Sequence, residues 1–137
     1  MASTEAQVLV VLAPGLLRED ELSGLLEERV GFAPRIPGHS SLGAQANGVY
    51  IDARVASGPQ GGRELALVLA HELGHHLGLY HADRPSGASL VDALTSNIMH
   101  SWLPGVDPLQ ARFDPRQAFV MRGHPDVLLA GAVSDCD

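Results

Sequence analysis

Cysteine is almost missing from this 137-residue chain. Cys136 stands alone, so no disulfide can close within the chain, and cysteine use points to no redox compartment. Aromatic residues are scarce at 4%, which leaves a core to Leu, Val and Ala. Basic charge is short too: nine Lys plus Arg against sixteen Asp plus Glu give a formal net charge of −7. Such a chain offers a polyanion no basic face of useful size, so the expectation is no nucleic-acid partner. Long hydrophobic runs are also absent. The apolar run at residues 8–13 falls well short of the roughly 20 residues a membrane-spanning helix needs. It lacks a basic stretch before it and follows Glu5, so it reads as a poor signal peptide, and no membrane partner is expected. What remains is ordinary for a globular domain: 45% hydrophobic, 18% charged, with a length that suits one core.

Residues 7–13 are a continuous aliphatic run ended by Pro14-Gly15, and predict a strand covered on both faces. Residues 19–30 place Leu22, Leu25, Leu26 and Val30 on one stripe. With Glu19, Asp20 and Glu21 at the positive end of the dipole, they predict a helix stopped by Gly31. Residues 33–48 are rich in Pro, Gly, Ser and Asn and read as a long loop. Asn47-Gly48 is a turn signal leading into a second strand at 49–53. The best helical pattern spans residues 63–77. Ala66, Leu69, Ala70, Leu73 and Leu77 form its predicted apolar face, and Gly78 stands where a left-handed cap belongs. Residues 79–111 are irregular. Asp114 then offers an N-cap with Pro115 at the first helical position, predicting a short helix over 116–122.

The chemistry lies in His71-Glu72-Leu73-Gly74-His75-His76-Leu77-Gly78-Leu79-Tyr80-His81. Helix positions four apart lie one above the other, so His71 and His75 point the same way, opposite to the predicted apolar face. Gly78 permits a sharp turn that returns His81 to the same point as a third ligand. Three neutral imidazoles leave a fourth tetrahedral position open for water, the arrangement of a catalytic rather than a structural zinc. Glu72 sits about 100° further round the helix from His71. That keeps it out of the ligand set but within reach of such a water, as a general base.

In full, His-Glu-x-x-His-x-x-Gly-x-x-His at residues 71–81 resembles the signature of the metzincin zinc peptidases. Metzincins carry a methionine turn beneath the metal, and Asn97-Ile98-Met99 is similar to it. The wording of residues 77–81 together with Asn-x-Met looks most like the pappalysin branch and related bacterial metzincins. Ser101 stands where the astacin turn has tyrosine, and Ala82 where astacins and adamalysins have an acidic residue. The resemblance implies an α+β, zincin-like fold: a small twisted sheet, a helix and an active-site helix above it. An irregular C-terminal subdomain with the Met-turn and a short helix would follow. It implies one catalytic domain over residues 1–137, divided at 78/79, with Met99 as structural support and one catalytic Zn²⁺. It further implies a monomer acting on a peptide or protein substrate, in a secreted or periplasmic setting. In that fold a sheet edge strand binds the extended substrate, and Val49–Asp52 is the candidate. Trp102, Leu103, Pro104 and Val106 would wall the pocket for the residue that becomes the new N-terminus. An apolar preference follows, unless Arg112 or Arg116 reaches in.

Other residues have plainer readings. His76 reads as a packed or hydrogen-bonded histidine, His39 and His124 as incidental loop residues, and Tyr80 as packing. His100 is as readily a neighbour of the site as not. Asp83 and Asp92 read as loop solvation, with orientation of a ligand imidazole the alternative. Two other functions fit the histidine spacing: a three-histidine metal-dependent endoribonuclease, and a zinc-stabilised binding module with weak or lost catalysis. The −7 charge and Glu72 count against the nuclease, and Glu72 has no purpose in a pure scaffold.

Overall fold

The computed structural model describes residues 8–19, 24–43, 47–82, 96–101 and 103–127. Among them are five strands, β1 (Val10–Ala13), β2 (Leu16–Glu19), β3 (Leu26–Arg29), β4 (Gly31–Phe32) and β5 (Val49–Asp52). Two α-helices follow, α1 (Gly61–His76) and α2 (Pro115–Arg122). This is a small α+β fold with a mixed sheet, as expected for a zincin.

β5 is the middle strand. β1 runs parallel to it with Val10 opposite Val49, and β4 runs antiparallel with Phe32 opposite Tyr50. Val49 and Ile51 are fully buried, and the Phe32 and Tyr50 rings stack 4.8 Å apart across the strands. Two expectations fail here. β5 is central, so it cannot be the substrate-binding edge; β4 holds an edge instead. β1 is the opposite edge, and Val10 and Leu12 are exposed, not covered on both faces.

The helix predicted over residues 19–30 is not formed. β2 and β3 pair antiparallel as a hairpin, Leu16 opposite Arg29 and Glu19 opposite Leu26. Gly24 has φ +66°, a left-handed conformation unfavourable within a helix. Of the residues that drew the helical stripe, Leu25 and Leu26 are both 67% exposed and Val30 is exposed too. With that side unburied, a helix has little packing to hold it against the sheet pairing available.

α1 forms nearly where expected and packs against β5. Its inward face is different, however. Ala66 is exposed and Leu69, Ala70, Leu73 and Leu77 are only half-buried, whereas Leu67, Val68, His71, Glu72, Gly74, His75 and His76 are buried. Leu67 and Val68 join Ile51, Ile98, Leu103 and Val106 in one core, so apolar contact is shared between the sheet and the chain after α1. Each such side chain contributes roughly 1.5–3 kcal/mol by burial. The helix ends in a Schellman motif: Leu79 N–H donates to Gly74 O at 2.9 Å and Gly78 N–H to His75 O at 3.0 Å. Gly78 takes φ +98° to make it. α2 begins as predicted, with the Asp114 carboxylate accepting from the amides of Arg116 and Gln117 in a capping box. Among the described residues, no helix is long and apolar enough to cross a membrane.

Candidate metal centre

The helix and the turn after it bring His71, His75 and His81 together. Their donor nitrogens all lie within 4.8 Å of one another, the Nε2 of His75 standing 3.1 Å from that of His71 and 3.2 Å from that of His81. Nitrogens bound tetrahedrally at about 2.0–2.1 Å from one zinc would stand roughly 3.3 Å apart, so the donor set fits that ion. The second ring nitrogens are already committed. Nδ1–H of His71 donates to Ile98 O and Nδ1–H of His75 to Leu79 O, both at 2.7 Å. A carbonyl can only accept, so each bond fixes the tautomer and leaves an Nε2 lone pair for a metal. Burial lowers the pKa of His75, opposed by its bond to Leu79, which keeps the ring in the neutral, ligating form.

Glu72 lies beside these rings, 4% exposed, and lines the same cleft of about 500 Å³. Burial pushes its carboxyl up to about 8, against the Ala33 amide donating to it and the charge of Arg29. Its Oε2 is buried with no hydrogen-bond partner among the described residues. A buried acceptor of that kind is costly unless function needs it, and here it stands next to the three imidazoles. Gly31 of β4 is what lets the carboxylate sit there: a Cβ at that position would come within 2.9 Å of Glu72 Cγ and Oε1.

Met99 is fully buried, its sulfur against Gly74 of α1. Its turn is tied on three sides. Met99 N–H donates to Asn97 Oδ1 at 2.8 Å, Met99 O accepts from Ala82 N–H at 2.9 Å, and Ile98 O receives His71. Asn97 also exchanges two amide hydrogen bonds with Gln117, at 3.1 and 3.2 Å, and Gln117 is the residue that completes the cap of α2. Sequence reasoning missed Gln117, although its place three residues after an Asp N-cap signalled the capping box.

His76 is fully buried and its Nε2 meets Asp126 at 3.0 Å, in keeping with a hydrogen-bonded histidine. His39 and His124 are not incidental. His124 Nε2–H donates to Gly38 O at 3.0 Å, and both rings approach Asp126 at 3.9 Å. Asp126 also accepts from the Ser40 amide and hydroxyl. Burial would raise its carboxyl, but the bonds from Ser40 and His76 outweigh that and hold it below the usual value. The cluster pins residues 38–40 to the end of α1, next to the loop whose Ala33 and Ile36 line the cleft. Nothing in the loop sequence announced it, because its members are far apart along the chain.

Of the expected pocket wall, Leu103 lines the cleft and Val106 is buried in the core; Arg112 and Arg116 are not among the lining residues. Tyr80 lines the cleft and is 69% exposed, so it is not a packing residue. Trp102, Asp83, Asp92 and Cys136 lie outside the described residues. Among known proteins, the family model of the matrixins matches residues 20–114, more than half of the chain. No curated protein and no solved structure matches.

Proposed function

We infer that this chain, which belongs to the matrixin family, is a zinc-dependent endopeptidase acting as a monomer on a peptide or protein. The observation that carries the reading is the convergence of three Nε2 atoms on one point, with the buried, unpartnered Glu72 carboxylate beside it. His71, His75 and His81 would hold the ion. A zinc ion bound there would supply Lewis acidity, enough to make water a nucleophile near neutral pH and to polarise the scissile carbonyl.

The chain's own groups do the rest. Glu72 takes the proton from the attacking water on Oε2 and later passes it to the leaving amine. Burial raises this carboxyl and the charge of a bound Zn²⁺ would lower it again, so the ionised form could serve as the base and the protonated form as the acid. The Ala33 amide holds the carboxylate in place. β4, the edge on the cleft side, offers main-chain groups to an extended substrate by strand addition, the role first given to β5. Leu103 supports an apolar residue at the position that becomes the new N-terminus. The similarity of residues 77–81 to the pappalysin branch rests on that wording alone.

Zinc-loaded protein incubated with a mixed peptide library, with cut sites read by mass spectrometry, tests the reading. Cleavage abolished by a chelator and restored by zinc is the expected result. One bound zinc per chain without any cleavage would favour the binding module instead, and failure to bind zinc would end both readings.

A further inference from the structure

The hairpin that replaces the expected helix carries cationic side chains to the cleft. Arg18 of β2 and Arg29 of β3 both line it alongside His71 and Glu72. With Arg29 opposite Leu16 and Arg18 opposite Glu27, the two arginines share one face of the hairpin. Arg29 is close enough for its charge to act on Glu72. A chain of net charge −7 thus presents arginine at the one place where a peptide would lie. Low-dielectric walls strengthen such a local field.

The state of these groups differs from that of the other nearby cations. Arg54 is held by Asp52 through Nε and Nη2, and its Nη1 faces Glu28 at 3.6 Å. That contact is solvated, and Glu28 is the other acidic residue lining the cleft. Among the described residues, Arg29 gives Nη2 to Glu27 at 2.7 Å, in a pair whose side chains are 45% and 48% exposed. A solvated pair of that kind is weak and readily exchanged. The guanidinium fork can receive a second carboxylate in bidentate fashion, with better geometry than a lone ammonium could.

We infer that Arg29, with Arg18 beside it, forms a carboxylate-binding subsite on the rim of the cleft, so that the preferred substrates are acidic peptides. The inference rests on the peptidase reading and narrows it to peptides with a carboxylate near the scissile bond. That carboxylate is either an Asp or Glu side chain or a free C-terminus.

The test uses the full chain, zinc-loaded, and matched peptides with an apolar residue at the new N-terminal position. Glu, Gln or Lys is placed at each neighbouring position, and every peptide is made as a free acid and as an amide. At one position, kcat/KM for Glu should exceed that for Gln by about tenfold, the worth of one charge-assisted hydrogen bond. Arg29→Glu should reverse the preference toward Lys, and Arg29→Gln should flatten it. Arg63→Glu, the same charge change at the exposed start of α1, should leave it alone. A preference kept in the amides assigns the subsite to a side chain; one seen only in the free acids assigns it to the terminal carboxylate. Equal rates for Glu, Gln and Lys, or a Glu preference unmoved by both Arg29 variants, would overturn the inference.

Binding of the same peptides, labelled and followed by anisotropy on zinc-loaded Glu72→Ala, separates the two inferences. If the parent cleaves nothing yet Glu peptides bind more tightly until Arg29 is changed, the peptidase reading falls and the subsite stands. If binding shows no Glu preference, the subsite falls whatever the activity.

Discussion

The sulfur of Met99 occupies the space that a Cβ on Gly74 would need. Gly74 faces it from the turn of α1 between His71 and His75, with no side chain between the helix backbone and the thioether. Gly74→Ala should therefore lower stability even though alanine is the better helix former. Overpacking a filled core costs about 1–3 kcal/mol, and the gain in helix propensity returns about 1 kcal/mol. A net loss of up to about 2 kcal/mol is expected in urea unfolding. A variant more stable than the parent would show that the thioether simply moves aside.

Met99 itself is fully buried, with its sulfur against Gly74. A soft, flexible thioether suits an irregular space better than it suits zinc held by three nitrogens. Met99→Leu nearly conserves volume and should cost under about 1.5 kcal/mol while zinc is retained. Met99→Ala should cost about 2–5 kcal/mol and weaken zinc binding, since the cavity lies against the ligand turn. Loss of zinc from a well-folded Met99→Leu would mean that the sulfur is a ligand after all.

Glu72→Ala should leave zinc content and the thermal transition near those of the parent, because the carboxylate stands beside the ligand set. Peptide hydrolysis should fall by about 10²–10⁴. Zinc titration and turnover on one peptide, measured on the same samples, check both halves. Turnover equal to that of the parent would remove Glu72 from the mechanism.

Asp126 ties Ser40 and His76 together, and its carboxyl is held below the ordinary value. A carboxylate with a lowered folded-state pKa contributes its full stability above the unfolded value near 3.9, and loses it as pH falls through the folded value. Asp126→Asn should thus be destabilised by about 1–3 kcal/mol at pH 7. The gap to the parent should narrow as the pH drops below about 4. Urea midpoints from pH 7 down to pH 3 measure the gap directly. A difference that stays constant across that range would show that the charge of Asp126 contributes nothing.

Where the sequence was explicit, chemistry and local geometry coincided. His71, His75 and His81 are spaced for convergence, Gly78 is the residue a left-handed helix end requires, and Asp114-Pro115 starts a helix by its own hydrogen bonds. All of these depend on neighbours within a few residues. The hairpin from Leu16 to Arg29 was illegible because its leucines mimic a helical stripe, and only the pairing of β2 with β3 decides otherwise. The inward face of α1 was misread for a related reason. His71 and His75 were placed opposite the apolar face, facing a cleft, yet they and Glu72 are buried, and Ile98 in the later turn hydrogen-bonds His71. The rank of β5 in its sheet depends on β1 and β4, which the local sequence of β5 does not mention.

The paired carboxamides of Asn97 and Gln117 set a minimum length for a working fragment. The segment shared with the matrixins ends at residue 114, at the cap of α2 and ahead of Gln117. A chain cut at that boundary would keep His71, His75 and His81 and still lose the clasp on the turn at Asn97. The smallest portable unit of this centre therefore extends past its recognisable signature, to residues that touch neither a metal nor a peptide.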